Sequence, residues 1–267
     1  MPAHLRPVVP TRHPAAPPTR RLTRLLALTL PALLAACTAG QPTTAPPTSP
    51  PAAPADADAA RDELAALAAA AQDRHLVASY VLRAGDRPDR TVLVSTADDG
   101  GWRVDVAGGA LGGTVDVSVA ATADGLFQCS LPSAGNPEPP RCVRVGDADD
   151  MLPRRADPRV QHPFTDWLDV LTDRRSPLSV SSAQPADGAT GSCYSVETTS
   201  ASINAPLDAG IYCFEADGTP TAVRTGGWTL TLAAPPAPGP ARVELPGPVV
   251  DDELLGTAAP EPTVGTL

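Results

Sequence analysis

The sequence contains no lysine, because all 20 of its basic residues are arginines. Schiff-base chemistry at a lysine and a lysine general base are therefore both excluded. Aromatic residues are also scarce, with nine among 267 residues, so the core must be built largely from Val, Leu and Ala. Both features are typical of a protein from a high-GC genome and indicate no particular activity.

Motifs that carry catalytic chemistry are missing as well. The sequence has no nucleophile elbow, zinc-protease helix, phosphate-binding glycine loop or dinucleotide fingerprint. Beyond residue 36 there are two histidines, His75 and His162, and neither has the spacing of a metal ligand, so surface or helix-capping roles are favoured. Asp147, Asp149 and Asp150 lack the alternating spacing of a calcium loop and indicate a solvated acidic turn. We therefore predict a protein that is not an enzyme and holds no metal or cofactor.

Charge is distributed unevenly along the chain. Residues 1–36 contain five of the 20 arginines and none of the 30 acidic residues, which leaves 15 arginines and 30 acids in the remainder, a formal net charge of −15. Binding to nucleic acid requires clustered cations that neutralise phosphates. A strongly acidic mature chain is therefore not expected to bind nucleic acid.

The amino-terminal region has the layout of an export signal. Three arginines, Arg20, Arg21 and Arg24, precede an uncharged apolar run over residues 25–36. As a helix this run would span only ~18 Å, whereas the hydrocarbon core of a membrane is ~30 Å thick. We therefore predict that residues 1–36 form a signal peptide that is removed.

The end of this run, Leu34-Ala35-Ala36-Cys37, resembles the lipobox of bacterial lipoproteins. The resemblance implies cleavage before Cys37, diacylation of its thiol and attachment to the outer face of the cytoplasmic membrane. Two or three acyl chains give stable anchoring, whereas one alone is marginal. The alternative is an ordinary secretory signal with a cysteine near the cut by chance.

The other four cysteines predict disulfide bonds, because an even number in an exported chain usually forms them. Cys129 and Cys142 are symmetric about the turn-forming pair Gly135-Asn136, and Cys193 and Cys213 are symmetric about a polar connection. Each pair would face across two neighbouring antiparallel strands, where a disulfide can close. A zinc site is disfavoured because it needs ligands at short spacing.

The remaining pattern predicts a single domain over residues 57–250. A Pro-, Ala- and Thr-rich tether covers 37–56, and an acidic, Pro-containing tail over 251–267 is expected to be disordered. Within the domain we predict a helix over 57–74, about five strands, a second helix near 164–171, and about five more strands, with a further short strand at 242–245. Successive hairpins with one or two helices predict an α+β fold in which helices cover one face of an antiparallel sheet.

The order of these elements, the lipobox and the segments 210–218, 228–232 and 243–246 resemble the LolA-like lipoproteins of high-GC Gram-positive bacteria. The resemblance implies a curved, unclosed half-barrel with helices on its concave face. It also implies that the protein binds a lipid or acyl chain in a cavity between sheet and helices. The resemblance provides no individual binding residue.

The second predicted helix supplies the candidate ligand-binding residues Phe164, Trp167, Leu168 and Leu171, spaced as one apolar stripe. They could pack the helix onto the sheet or form a cover over an apolar cavity, and the two roles are compatible. Nearby arginine pairs at 154–155 and 174–175 could meet a lipid headgroup.

Two functions remain open. One is a monomeric carrier of an amphiphilic ligand such as a lipid, and the other is a module that binds another cell-envelope protein. An open cavity above ~300 Å³ would favour the carrier.

Overall fold

A computed structural model describes residues 54–199 and 205–259. The predicted signal peptide and the lipidation site Cys37 lie outside this described part of the chain, as does the tether up to residue 53. Within the described part there are two α-helices and twelve strands. Their bounds are α1 Pro54–Gln72, β1 Leu76–Arg83, β2 Arg90–Thr96, β3 Trp102–Ala110, β4 Val115–Thr122, β5 Gly125–Leu131, β6 Arg141–Gly146, α2 Asp166–Thr172, β7 Leu178–Ala183, β8 Ser192–Thr198, β9 Gly210–Phe214, β10 Pro220–Thr225, β11 Thr229–Leu232 and β12 Ala237–Pro238.

All the strands belong to one antiparallel sheet with the order β6-β5-β4-β3-β2-β1-β11-β10-β9-β8-β7. Two meanders, β1 to β6 and β7 to β11, are joined where β1 pairs with β11, in a register that sets Tyr80 opposite Leu232. The outermost strands β6 and β7 do not pair with each other, so the curved sheet is not closed. This architecture confirms the predicted α+β class.

The helices cover one face of the sheet, which we call the helix-bearing face. In α1 the side chains of Ala60, Leu64, Ala68 and Ala71 are buried at helical spacing. In β1 every second side chain, from Leu76 to Leu82, is buried on the same face. One core cluster joins α1 and α2 to strands β7–β10, and a second lies under β1–β4.

The second helix is shorter than its apolar spacing predicts. Phe164 lies in a 3-10 turn formed by residues His162–Phe164, and α2 begins only at Asp166. The two elements are separated at Thr165, whose backbone (φ −132°, ψ −119°) is not helical. The predicted stripe nevertheless remains on one side, because Phe164, Trp167, Leu168 and Leu171 are all buried.

Both predicted disulfides are confirmed. Cys129 lies opposite Cys142 on β5 and β6, and Cys193 lies opposite Cys213 on β8 and β9, with Cα atoms 3.9 and 4.1 Å apart. Both bonds lie on the face of the sheet opposite the helices, because side chains alternate between the two faces and the neighbours of these cysteines along each strand point toward the helices. In the chain-entropy account each closed loop stabilises the fold by ~3 kcal/mol.

Residues 239–259 form a belt around one edge of the sheet. Leu245 packs on the Cys129–Cys142 disulfide, and the edge strand β6 is then covered where the Cys142 N–H donates to Pro248 O and Val250 N–H donates to Cys142 O. The chain next reaches the helix-bearing face, where Leu255 N–H donates to Gln128 Oε1 over 2.7 Å. Covering an edge strand removes a row of unpaired backbone groups that could otherwise recruit another chain.

Two sequence predictions about this segment were wrong. No strand forms at 242–245, because the run is bounded by Pro240 and Pro246, and the short strand β12 forms earlier, against β1. The predicted disordered tail does not begin at 251, since Gly256 O and Thr257 O accept hydrogen bonds from Leu111 and Gly112. Composition could not reveal these long-range partners. Residues 260–267 lie outside the described part of the chain.

Replacing Gln128 by leucine is expected to destabilise the protein by about 2 kcal/mol. Gln128 is buried, and its Nε2 donates to both Ala156 O and Leu255 O while its Oε1 accepts from Leu255 N–H. Leucine would leave these backbone groups unsatisfied, at a cost of ~1–3 kcal/mol. Urea unfolding followed by circular dichroism measures the change. The control Gln72→Leu removes an exposed hydrogen bond and should cost less than ~0.5 kcal/mol; equal losses would contradict the assigned role of Gln128.

Candidate ligand-binding site

A cavity of about 400 Å³ opens on the helix-bearing face. We call it the larger cavity, because a second cavity on this face has a volume of only about 200 Å³. The size of the larger cavity falls within the ~300–1,000 Å³ typical of small-molecule sites. The apolar part of its wall comes from strands β3–β5, the loop before the 3-10 turn, and the region from that turn into α2, through the side chains of Trp102, Val119, Leu126, Leu152, Phe164 and Leu168.

Much of the remaining lining is polar. It includes four carboxylates, Asp149, Asp150, Asp166 and Asp169, together with the basic side chains of Arg74 and His75 just after α1. The two basic groups are already paired, Arg74 with Asp217 at 3.2 Å and His75 with Asp98 at 2.9 Å. The cavity thus combines an apolar wall with a hydrophilic rim, which is the arrangement that an amphiphilic ligand needs.

The predicted ligand-binding residues are divided between this cavity and the core. Phe164 and Leu168 line the larger cavity, whereas Trp167 and Leu171 are not among its lining residues. The Trp167 ring stacks on Trp228 at 6.2 Å and meets Tyr212 edge-on at 6.1 Å, so it attaches α2 to strands β9–β11. The ligand-binding role stays a prediction for Phe164 and Leu168, and Trp167 and Leu171 have the core-packing role that the spacing also allowed.

Residues 157–166 cross the helix-bearing face beside the cavity, and we call them the crossing segment. His162 fixes its shape, because Nδ1 bonds to Asp166 Oδ1 at 2.6 Å and Nε2 bonds to Asp157 Oδ2 at 2.9 Å. The imidazole also stacks on Trp167, with ring centres 5.4 Å apart. Interpreting His162 as a surface or capping residue was wrong, since its side chain is only 14 % exposed.

The electrostatics of this cluster favour a charged imidazole. Burial alone would lower the pKa of His162, but its hydrogen bonds to Asp157 and Asp166 outweigh burial and raise the pKa to about 9. Burial likewise opposes ionisation of Asp157, yet hydrogen bonds from His162 and Gln161 hold the pKa of that carboxyl below its usual value. Two carboxylates therefore hold an imidazolium in place, and both of its nitrogens are used as donors.

Gln161 is a cavity residue that sequence patterns did not identify. It is 3 % exposed, and its Nε2 donates to Asp157 Oδ1 over 2.6 Å. Its Oε1 is buried and has no hydrogen-bond partner in the described part of the chain. A buried acceptor in a cavity wall can be satisfied by a donor group of a ligand. No motif surrounds Gln161, so no sequence signal distinguished it from other loop residues.

Other residues singled out in the sequence do not form a reactive site. Asp150 accepts a hydrogen bond from the backbone N–H of Asp147 and so stabilises an exposed turn. The arginines at 154–155 and 174–175 do not line the larger cavity, and Arg174 pairs with Asp62. Among residues 54–199 and 205–259, no three His, Cys, Asp or Glu side chains are grouped as metal ligands.

The chain matches no model of a known protein family, and no curated protein has a similar sequence. Neither helix in the described residues is long and apolar enough to cross a membrane.

Proposed function

We propose that this protein is a bacterial lipoprotein that binds a small amphiphilic ligand, such as a lipid, without changing it chemically. Acylated Cys37 would hold it on the outer face of the cytoplasmic membrane. The proposal rests on the larger cavity. Its volume is about 400 Å³, and its apolar wall and hydrophilic rim belong to the same cavity.

The chemistry of the lining suggests how such a ligand would bind. Its apolar part would lie against Trp102, Leu126 and Phe164, and each 100 Å² of buried ligand surface would contribute ~2.5 kcal/mol. Its polar part would lie against the polar lining, which includes Gln161 with its buried, unpartnered Oε1, and a hydroxyl or amine could donate to that oxygen. The volume suits one chain or a compact small molecule better than a lipid with several long chains.

A second candidate function is a module that binds another envelope protein. It is favoured by the opposite face of the sheet, where a groove of about 470 Å³ separates residues 240–244 of the belt from strands β1–β3. Leu93 in this groove is 40 % exposed, which is unusual for a large apolar side chain on a strand. This groove is shallow and has no buried polar group without a partner, so we favour the carrier.

Native mass spectrometry tests the carrier function directly. The chain from residue 37, carrying Cys37→Ser and exported so that its disulfides form, would be purified without detergent. We expect a discrete extra mass that is lost on denaturation and is identified as an amphiphile. A bare protein mass, unchanged after incubation with an envelope lipid extract, would contradict the proposal and favour a protein partner.

A matched pair of variants locates the ligand. Ala148 is exposed and lines the larger cavity, so Ala148→Trp would fill the cavity without altering the core. It should weaken binding about tenfold or more, equivalent to ~1.4 kcal/mol. Ala134→Trp makes the same change at an exposed turn between β5 and β6 and should leave the bound mass unchanged.

A further inference from the structure

A second cavity, of about 200 Å³, lies toward the other end of strand β3 from Trp102. We call it the smaller cavity. Its walls come from the β1–β2 connection with the strand ends beside it, the end of β3, residues 157–160 of the crossing segment, and Trp228 just before β11. Apolar side chains of Leu82, Val106, Val160 and Trp228 form one part of the lining, and three arginines, Arg87, Arg90 and Arg159, form another.

Two of these arginines have no acidic partner. Arg159 pairs with Asp208, and the lining carboxylate Asp157 is already bonded to His162. Neither Arg87 nor Arg90 forms an ion pair with any residue of 54–199 or 205–259, whereas seven other arginines in the same part of the chain do.

Both guanidinium groups lie against the glycine-rich loop over residues 107–113, which includes the end of β3 and the connection to β4. Arg90 Nη1 donates to the carbonyls of Ala107 and Gly108, at 3.4 and 2.7 Å, and its Nε is buried without a hydrogen-bond partner. Arg87 Nη1 packs beside Gly113 of the same loop. Gly108 has φ +57°, and a Cβ there would clash with Gly113 O at 2.8 Å, so a glycine is needed to keep this close turn.

The two positive charges repel each other in a partly dry environment. Burial lowers the pKa of Arg90, and the nearby charge of Arg87 lowers it further. An anion between them would remove this repulsion and supply an acceptor for the buried Nε. Guanidinium groups match the geometry of phosphate and carboxylate oxygens, with which they form paired hydrogen bonds.

We propose that the smaller cavity is an anion-binding site that takes the phosphate or carboxylate group of a small molecule, with a short apolar part packed against Trp228 and Leu82. This site is separate from the larger cavity and does not depend on the function proposed for it. The same oxyanion could belong to a free metabolite or to a membrane lipid headgroup.

Isothermal titration of the Cys37→Ser chain with hexyl phosphate, inorganic phosphate and hexanol tests the proposal. In the Ala148→Trp background, in which the larger cavity is filled, hexyl phosphate should bind once per chain and uncharged hexanol should not bind. Arg87→Gln and Arg90→Gln should each weaken hexyl phosphate binding about tenfold or more, the loss expected for a charge-assisted hydrogen bond. Arg87 is exposed, so Arg87→Gln should fold normally. The binding of hexyl phosphate to this variant therefore tests the proposal even if Arg90→Gln folds poorly.

Arg83→Gln is the matched control, because it removes one charge from the same hairpin at a residue that pairs with Asp89 and does not line the cavity. It should change binding less than about twofold. Ala148→Trp should have no effect, which separates this site from the larger cavity. Equal binding of inorganic phosphate would identify a free anion as the source, and Arg87-dependent flotation with phosphatidylglycerol vesicles would identify a lipid headgroup. No saturable binding of any probe, or equal losses in the Arg83 and Arg87 variants, would overturn the proposal.

Discussion

Replacing Trp167 by alanine is expected to remove about 3–5 kcal/mol from the free energy of unfolding, the usual cost of deleting a large buried aromatic side chain. Trp167 is 3 % exposed and contacts three rings: it stacks on His162 and Trp228 and meets Tyr212 edge-on. These contacts attach α2 and the crossing segment to strand β9 and to the turn between β10 and β11. Since a domain of this size has a total stability of ~5–15 kcal/mol, much of it would be lost.

Urea unfolding followed by circular dichroism measures this change without relying on tryptophan fluorescence. Trp102→Ala is the matched control, because Trp102 is only partly buried and its ring has no aromatic partner in the described residues. The loss of unfolding free energy for Trp102→Ala should be about half of that for Trp167→Ala or less. The stability loss for Trp167→Phe should fall between the losses for the two alanine variants, since a smaller ring retains part of the stacking. A Trp167→Ala loss no greater than that of Trp102→Ala would contradict the role assigned to this aromatic cluster.

The elements that the sequence predicted well are those determined by local pattern. Alternating apolar residues flanked by turn residues predicted about five strands on each side of the second helix, where the structure has six and six, and symmetry about Gly135-Asn136 identified the Cys129–Cys142 partners. Such signals work because the residues that meet in a hairpin are close in the sequence. The apolar stripe of the second helix was likewise correct about which side is buried, although the non-helical backbone at Thr165 separates Phe164 from α2.

The features that the sequence did not predict depend on distant residues. Gln128 holds Leu255 from 127 positions away, so the composition of the tail alone indicated disorder. Arg87 and Arg90 share a cavity with Trp228 only because β1 pairs with β11. The role of His162 depended on carboxylates at both ring nitrogens. Asp166 follows at the regular spacing of four residues, but Asp157 precedes His162 in a segment with no helix or strand pattern.

The stability of the protein should fall as the pH rises from about 6.5 to 9, and His162 should account for the fall. In the unfolded chain a histidine has a pKa of ~6.5, whereas hydrogen bonds to Asp157 and Asp166 outweigh burial and raise the folded value to about 9. A raised pKa means that the folded state holds the proton more tightly. The stabilisation is therefore complete below pH ~6.5 and is lost as the pH rises through 9.

The size of this effect follows from the difference between the two pKa values, at ~1.4 kcal/mol per pH unit, and is on the order of 3 kcal/mol. Little solvent screening is expected, because the imidazole and Asp157 are each only 14 % exposed. Urea unfolding at a series of pH values between 6 and 9.5 would give the slope of the unfolding free energy against pH. An NMR titration of the His162 ring would show whether that residue loses its proton over the same range.

Two variants distinguish His162 from the rest of the protein. His162→Gln removes the titrating group, so its stability should be lower at pH 6 and almost independent of pH up to 9. His75→Gln removes the other histidine of the described residues, which has one carboxylate partner and is 40 % exposed, and the slope should persist. If His162→Gln retained the wild-type slope, the proton would belong to another group. If the pH dependence of the unfolding free energy disappears in His162→Gln, Asp157, His162 and Asp166 form an ion cluster. This cluster holds the crossing segment against Trp167 as long as the imidazole is protonated.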